Sequence, residues 1–214
     1  MSASPPLDLV HIDPDFVVVN KRSGMLAVPG RGEDKLDSVA HRVRQLFPDC
    51  IEQPAVHRLD MDTSGLMVVA ISAEAHRNLS RQFHERLTHK KYIALLDGVL
   101  ELEEGTIELP FRLDVDNRPI QIYDEVHGKT GTTHWKKMAV EGQYTRVEFI
   151  PVTGRTHQLR LHAYHEKGLG IPIVGDPFYG RGSGPGQLKL HACELGFTHP
   201  RSGEGLMFHS APGF

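Results

Sequence analysis

Most of what this sequence reveals is concentrated in one stretch, His57-Arg58-Leu59-Asp60-Met61-Asp62-Thr63-Ser64-Gly65. An arginine and a carboxylate, Arg58 and Asp60, stand two residues apart. The closing Thr-Ser-Gly favours a tight, self-hydrogen-bonded loop. The apolar run at residues 66–71 follows directly and predicts a buried strand. Catalytic side chains are commonly carried on loops beside a rigid strand, although a salt-bridged surface turn would show the same charge pattern.

The composition is that of an ordinary soluble globular protein. The 214 residues are 39% hydrophobic and 24% charged, enough for a substantial core. The formal net charge is −3, so the total charge does not indicate a polyanionic partner. A nucleic-acid site would therefore have to be a local basic patch on a mildly acidic body.

The cysteines and the N-terminus bear on the cellular compartment. Cys50 and Cys193 are the only two cysteines and neither has CxxC spacing, which argues against a disulfide framework or a structural zinc site. Residues 1–6 are polar and proline-bearing with no apolar segment behind them, and no later segment resembles a membrane span. We expect a cytosolic protein without a membrane partner.

The order of helical and strand patterns predicts an α+β fold with a mostly antiparallel mixed sheet flanked by helices and loops. We expect a flexible tail at residues 1–8 and a single domain at 9–214. Strands are predicted at residues 9–12, 16–19, 66–71, 92–96, 106–109, 120–123, 132–139, 145–151 and 188–197. Helices are predicted at residues 38–47, from Ser72 to about Leu87, and at 156–164.

Several patterns that are typical of metal or phosphate sites are incomplete. Three histidines, His157, His162 and His165, lack partners at a metal-ligand spacing, so no metal site is predicted. Gly128-Lys129-Thr130 ends like a phosphate-binding loop, but the required upstream glycine is Tyr123 here. Asp60 and Asp62 could serve a phosphate-ester hydrolase, although the strand that normally precedes such a pair is broken by polar residues.

A second segment with chemical potential is Gly154-Arg155-Thr156-His157-Gln158-Leu159-Arg160-Leu161-His162. Arg155 is predicted at a strand-to-helix junction, which suits a guanidinium that binds a carboxylate bidentately; a solvated arginine is the alternative. Tyr92 begins a predicted strand and, taken alone, is more typical of core packing. A basic run could follow RNA phosphates or simply form a solvated helix face. Its members are Arg77, Arg81, Arg86, Lys90 and Lys91.

These motifs together resemble the RluA-type pseudouridine synthase family. The first stretch is similar to its HRLDxxTSG signature and the second to its GRTHQIRxH signature. The resemblance extends from about Leu9 to the C-terminus and includes Asn20-Lys21, Ser23-Gly24, Gly175-Asp176 and Tyr179-Gly180. It implies the pseudouridine synthase catalytic fold and the isomerisation of uridine to pseudouridine in RNA, a redox-neutral reaction for which we expect neither cofactor nor metal.

The same resemblance implies roles for individual residues. Asp60 would be the nucleophile. The resemblance leaves open whether Asp60 attacks C1′ or first promotes formation of a glycal. Arg155 would pair with Asp60 and keep it ionised, because a neighbouring opposite charge favours the charged form. Tyr92 would stack on uracil and assist removal of the C5 proton, and Arg58 would fill the gap left by the flipped nucleotide. His57 would have a backbone or phosphate role.

The expected substrates are a tRNA anticodon stem-loop, modified at the first loop position, and a hairpin of 23S rRNA. No S4-type RNA-binding extension is expected before residue 9, and Val28-Pro29-Gly30-Arg31 is present, as in the dual-specificity branch of the family. Two departures are Arg22 in place of the usual proline and Ile171 in place of the usual histidine; Arg22 is expected to alter RNA contacts. We expect a monomer. The alternatives are a single RNA target or a catalytically silent RNA-binding protein.

Overall fold

The computed structural model describes residues 6–30, 32 and 35–214, so Arg31 and residues 1–5 of the predicted tail lie outside it. Within these ranges the chain forms ten strands and three helices. In chain order these are β1 (Asp8–Ile12), β2 (Phe16–Lys21), α1 (Val39–Leu46), β3 (Ser64–Ala70), α2 (Ala73–His84), β4 (His89–Leu96), β5 (Glu104–Leu113), β6 (Gln121–Tyr123), β7 (Lys129–Glu141), β8 (Tyr144–Pro151), α3 (Gln158–Tyr164), β9 (Leu190–Thr198) and β10 (Gly205–His209).

The chain divides into two compact units, and each contains residues that are far apart in sequence. The first comprises the described residues up to His89 together with Ala192–Ala211, and the second comprises Lys90–His191 with Pro212–Phe214. The α+β prediction is confirmed, and every strand pairing with a described register is antiparallel. The expectation of a single domain stays a prediction.

In the first unit, β1, β2, β3 and β9 lie side by side in that order, and β10 pairs with β9. Strands β2 and β3 are almost completely buried, which explains their unbroken apolar sequences. Leu79 of α2 packs on Phe16, Leu66 and Phe197 of the sheet in one apolar cluster. This packing gives the loop before β3 a rigid support. Strand β10 was not predicted from the sequence.

Helix α2 begins where the sequence predicts but ends three residues earlier. The Ser72 hydroxyl accepts a hydrogen bond from the Ala75 amide at 3.2 Å, which is a standard N-cap. At the other end, the Arg86 amide donates to Phe83 and the Leu87 amide to Gln82, the two bonds of a Schellman motif. Arg86 has φ 60°, a conformation that glycine usually supplies. The predicted end at Leu87 is therefore wrong.

In the second unit the strand order is β4, β8, β7, β5, β6, and all four pairings are antiparallel. Strands β5 and β7 are longer than predicted and form an extended pair from Glu104–Lys136 to Phe111–Lys129. Helix α3 starts after His157, two residues later than predicted, because His157 adopts φ 55° at the N-cap. No helix in the described part of the chain is both long and apolar enough to span a membrane.

Candidate active site

In the first unit, residues of the loop after β2 donate hydrogen bonds to the backbone of the Asp60 loop. The Gly24 amide donates to the carbonyl of Met61 at 3.0 Å, and the Ser23 hydroxyl donates to the carbonyl of Asp62. The Thr63 amide closes the turn on the carbonyl of Asp60 at 3.1 Å. The turn that carries Asp60 is therefore preformed, as the closing Thr-Ser-Gly of the motif predicts.

Lys21, at the end of β2, is a buried lysine beside the Asp60 loop, and it is only 1% exposed. Its ammonium donates to three backbone carbonyls: Met25 at 2.7 Å, Met61 at 2.8 Å and Arg22 at 3.1 Å. Burial lowers the pKa of Lys21 from 10.5 to about 7, although the negative charges of Asp60 and Asp62 favour the protonated form. Lys21 therefore ties the Asp60 loop to the body of the unit and supplies a positive potential beneath it.

The two carboxylates of the loop have different environments. Asp60 is half-buried, and its carboxylate takes part in none of the hydrogen bonds found among the described residues. Asp62 is only 2% exposed. The loop therefore presents one accessible carboxylate, that of Asp60, whereas the carboxylate of Asp62 is buried.

His57 anchors the start of the motif. Its ring stacks on Phe83 of α2 with centroids 4.2 Å apart and planes 14° from parallel. Its Nε2 accepts a hydrogen bond from the Val68 amide of β3 at 3.1 Å, which assigns the ring proton to Nδ1. These contacts give His57 a structural role in placing the loop. The predicted contact of His57 with RNA stays a prediction.

The predicted RNA-binding arginines of the first unit are exposed. Arg58 projects from the motif loop, and Arg77 and Arg81 from α2. Arg81 forms an exposed ion pair with Glu85 at 3.1 Å, which partly offsets its charge. Arg86 follows in the left-handed turn that ends the helix. The exposure of these four arginines is compatible with phosphate contacts, and their roles stay predictions.

In the second unit, Arg155 lies between β8 and α3 in a segment organised by Gln158. The Gln158 side-chain oxygen accepts from the Arg155 amide at 3.2 Å and from the Thr153 hydroxyl at 2.7 Å. Its amide nitrogen donates to the carbonyl of Thr132 at 3.0 Å. The Arg155 guanidinium donates through Nε to Thr130 at 3.2 Å and lies 5.9 Å from the centroid of Phe111. Its position is thus set by two strands.

The remaining predicted site residues of this unit lie on β4. Tyr92 is half-buried, pairs with Phe149 of β8 and packs against the apolar core. Lys91 forms an ion pair with Glu148 at 3.1 Å, so it contributes less uncompensated charge than its sequence suggests. Lys90 has its Nζ 3.8 Å from the position that a Cβ on Gly154 would occupy, and it therefore lies beside the Arg155 segment.

Asp60 and the pair Tyr92 and Arg155 belong to different units. The structure brings Asp60 together with Lys21, and it brings Arg155 together with Gln158 and Thr130. The predicted ion pair between Asp60 and Arg155 stays a prediction. Among the described residues, no group of three or more His, Cys, Asp or Glu side chains is arranged to hold a metal ion.

The comparisons with known proteins concern the family to which the chain belongs. A family model described as RNA pseudouridylate synthase matches residues 15–165, which include both motif segments. The chain belongs to the RNA pseudouridylate synthase family. The prediction of an RNA pseudouridine synthase, with RNA as its substrate, is confirmed at the level of this family.

Curated relatives of this family member match it over almost its entire length. The "Dual-specificity RNA pseudouridine synthase RluA" of Pasteurella multocida is 45% identical over 98% of this chain and 95% of the relative. The protein of the same name from Escherichia coli K12 is 41% identical over the same shares. The solved structure of "Human RNA Pseudouridylate Synthase Domain Containing 1" has a TM-score of 0.76 at 29% identity and covers 100% of this chain and 87% of that one.

One buried ion pair in the second unit of this pseudouridine synthase family member was not predicted from its motifs. Arg160 and Asp176 form a bidentate ion pair at 2.8 and 2.6 Å with 1% and 0% of their side chains exposed. Asp176 also accepts hydrogen bonds from the amides of Phe178 and Tyr179. The Tyr179 hydroxyl in turn lies 3.0 Å from Nδ1 of His157. Both partners stand inside recognised motifs, but their separation of 16 residues gives no sign that they meet.

His162, the last residue of the second motif, also has a distinctive environment. It is completely buried, and neither ring nitrogen has a hydrogen-bond partner among the described residues. Its ring meets Phe111 edge-on with centroids 5.9 Å apart. Burial lowers the pKa of His162 from 6.5 to about 4, so the ring is neutral near pH 7. His162 is therefore a core residue rather than a proton donor to substrate.

Proposed function

We propose that this protein isomerises uridine to pseudouridine in RNA stem-loops with Asp60 as the nucleophile. The N1–C1′ glycosidic bond breaks, uracil turns, and a C5–C1′ bond forms, while C5 loses a proton and N1 gains one. No electron acceptor and no water is consumed. The protein has to extract the base from its stack, stabilise charge at the sugar, and hold the free uracil.

The observation that carries this proposal is the contrast between Asp60 and its surroundings. The backbone on either side of Asp60 is held by hydrogen bonds from Ser23, Gly24 and Lys21, whereas the Asp60 carboxylate is half-buried and not used by the fold. A nucleophile needs this combination, because the loop must hold its position while the reacting oxygen stays available. A carboxylate oxygen that stays available in this way can attack C1′, or promote loss of the sugar proton on the glycal route.

Three further side chains complete the proposed chemistry. Arg155 pairs with Asp60 in the complex and keeps it ionised, since its planar fork matches a carboxylate. Tyr92 stacks on uracil and assists removal of the C5 proton. Arg58 is exposed on the motif loop, where its planar cation can stack on the neighbours of the flipped nucleotide.

We propose that the substrates are tRNA anticodon stem-loops, modified at the first loop position, and a hairpin of 23S rRNA. The proposal is supported by the relatives named as dual-specificity enzymes, which match nearly the whole chain. It also agrees with RNA physics, because the deep, narrow major groove of an RNA helix hides base edges while loop bases are readable. We further propose that the protein acts as a monomer in the cytosol and needs neither metal nor cofactor.

The rival function of a phosphate-ester hydrolase depends on two carboxylates presented together to one metal-bound phosphate. Asp62 is 2% exposed while Asp60 is half-buried, so the pair does not present two accessible carboxylates. Turnover in excess EDTA distinguishes the two functions. A pseudouridine synthase should remain active, whereas a hydrolase should stop and recover with magnesium. A short hairpin substrate is required, because chelation of magnesium can unfold larger structured RNA.

The experiment that tests the nucleophile compares Asp60→Asn with Asp49→Asn, which makes the same chemical change at an exposed residue. Each protein is incubated with the tRNA hairpin and with the 23S hairpin, and pseudouridine is scored by carbodiimide treatment and primer extension. Asp60→Asn should lose all detectable isomerisation and keep its RNA affinity, because most affinity comes from phosphate contacts. Residual activity above about a hundredth of wild type would exclude Asp60 as a covalent nucleophile.

A further inference from the structure

The second unit contains a pocket of about 430 Å³ at one side of the Arg155 segment. Its lining includes the buried ring of Phe111 and four basic side chains, those of Arg112, His127, Lys129 and Arg155. This volume is in the range of small-ligand sites. The walls come from β5, β6, the loop between β6 and β7, the start of β7 and the segment before α3, so residues from several parts of the unit surround one space.

One wall of the pocket is held rigidly before any ligand binds. The Asp124 carboxylate accepts a hydrogen bond from Arg112 at 2.5 Å and from the amides of Val126 and His127 at 3.0 and 2.8 Å. These bonds lower the pKa of Asp124 to about 2, the His127 amide having the largest effect. A Cβ on Gly128 would lie 2.1 Å from the carbonyl of Asp124, so only glycine fits this turn.

The charge of the pocket is positive and largely uncompensated. Arg112 is neutralised by Asp124, whereas Lys129 and Arg155 form no ion pair within the described part of the chain. Arg155 donates to the carbonyl of Thr130, the neighbour of Lys129, so the two cations belong to one patch. The Nζ of Lys90 lies beside Gly154 at its edge. The cationic patch of the pocket consists of Arg155 and Lys129.

The chemistry of the patch selects a phosphate group. Phe111 is 2% exposed and offers no face for a base to stack on. An arginine has five N–H donors and Arg155 uses only Nε in this unit, so it can bind a carboxylate on one edge and a phosphate oxygen on another. Lys129 supplies a compact, mobile charge of the kind that contacts phosphates without reading sequence.

We propose that this pocket binds a backbone phosphate of the RNA substrate next to the nucleotide that is isomerised, with Lys129 as the main contact. The inference rests on the proposed function, because Arg155 joins the pocket to the reacting uridine. The site explains the incomplete Gly128-Lys129-Thr130 motif: Gly128 shapes the turn, Lys129 contacts the phosphate, and Thr130 orients Arg155. The contact supplies affinity equally to tRNA and rRNA hairpins, since a phosphate carries no base identity.

The test compares Lys129→Gln with Lys136→Gln, an exposed lysine further along the same strand whose only described ion pair is a loose one with Glu104 at 3.7 Å. The dissociation constant of each full-length protein for the tRNA hairpin is measured over a range of KCl concentrations. Lys129→Gln should weaken binding about fivefold and reduce the slope of log affinity against log salt by about 0.7, the value for one phosphate of a single strand. Lys136→Gln should match wild type, and both variants should melt at the wild-type temperature.

A second measurement locates the contact on the RNA. Hairpins carrying one neutral methylphosphonate at each loop position in turn are bound to wild type and to Lys129→Gln. One position next to the target uridine should weaken wild-type binding about fivefold and should have no further effect on the variant. The inference is overturned if Lys129→Gln binds like Lys136→Gln, or if no position shows this coupling. Pseudouridine formation by wild type on the unmodified hairpin is scored in parallel, so failure of the proposed function is seen separately from failure of the pocket.

Discussion

The buried ammonium beneath the Asp60 loop can be tested by replacing Lys21 with methionine. The change keeps an unbranched side chain of similar length and removes both the positive charge and the hydrogen bonds to Met25, Met61 and Arg22. Lys21→Met therefore removes one titrating group from the folded protein, while the surrounding apolar packing can be retained. The quantity of interest is how the stability difference between the two proteins changes with pH.

The size of this change follows from the pKa of Lys21, which burial holds at about 7 in the folded protein against an ordinary value of 10.5. Between these values the unfolded chain binds more protons than the folded one, so the free energy of unfolding rises with pH across this window. Below about pH 7 the buried ammonium is charged, and it lowers the free energy of unfolding by its full amount. From about pH 7 to about pH 9 wild type should gain about 2 kcal/mol relative to Lys21→Met.

The assay is urea unfolding of wild type and Lys21→Met at both pH values, followed by far-ultraviolet circular dichroism. Subtracting the two proteins at each pH cancels the titration of all other groups. Lys136→Met serves as the control, because Lys136 is exposed and should show no such pH-dependent difference. A wild-type minus Lys21→Met difference that stays constant within about 0.5 kcal/mol, where 2 is expected, would refute the buried, weakly basic ammonium.

Three further variants test other parts of the structure. Burial holds the pKa of His162 at about 4 against 6.5, so wild type should lose about 3 kcal/mol of stability as pH falls through this interval. His162→Leu should not show this loss in urea unfolding, and parallel pH curves would contradict the assignment. Asp176→Asn should lower the free energy of unfolding by about 3–5 kcal/mol, because Arg160 then remains buried without its charge partner. A loss below about 1 kcal/mol would show that the pair is solvated. Arg58→Ala should lower kcat/KM on the tRNA hairpin about a hundredfold through the unfilled stacking gap, and wild-type kinetics would exclude that role.

Local patterns predicted most elements correctly because their causes are local. Ser72 caps α2 as expected, and the unbroken apolar run before it forms the buried strand β3. The errors occur where neighbours in space decide the outcome. Strand β10 alternates half-buried and exposed residues and is held by its pairing with β9, so its sequence gives a weak signal. Helix α2 ends at His84 because Arg86 adopts a left-handed conformation. The sequence has no glycine or asparagine at this position that would have indicated it.

The sequence by itself determined the family, the α+β class and the identity of Asp60 and Arg155 as the side chains to consider, because short motifs carry chemistry in the order of their residues. Only the tertiary structure decided what surrounds them. The hydrogen bond from Lys21 to Met61 spans 40 residues, and the ion pair of Arg160 spans 16. Burial, which sets the pKa of Lys21 and His162, depends on every element that packs around a residue. The local order of residues gives neither the distance between side chains in the fold nor their burial. Folding brings distant residues together, and the packing that results excludes water from a charged group and shifts its pKa.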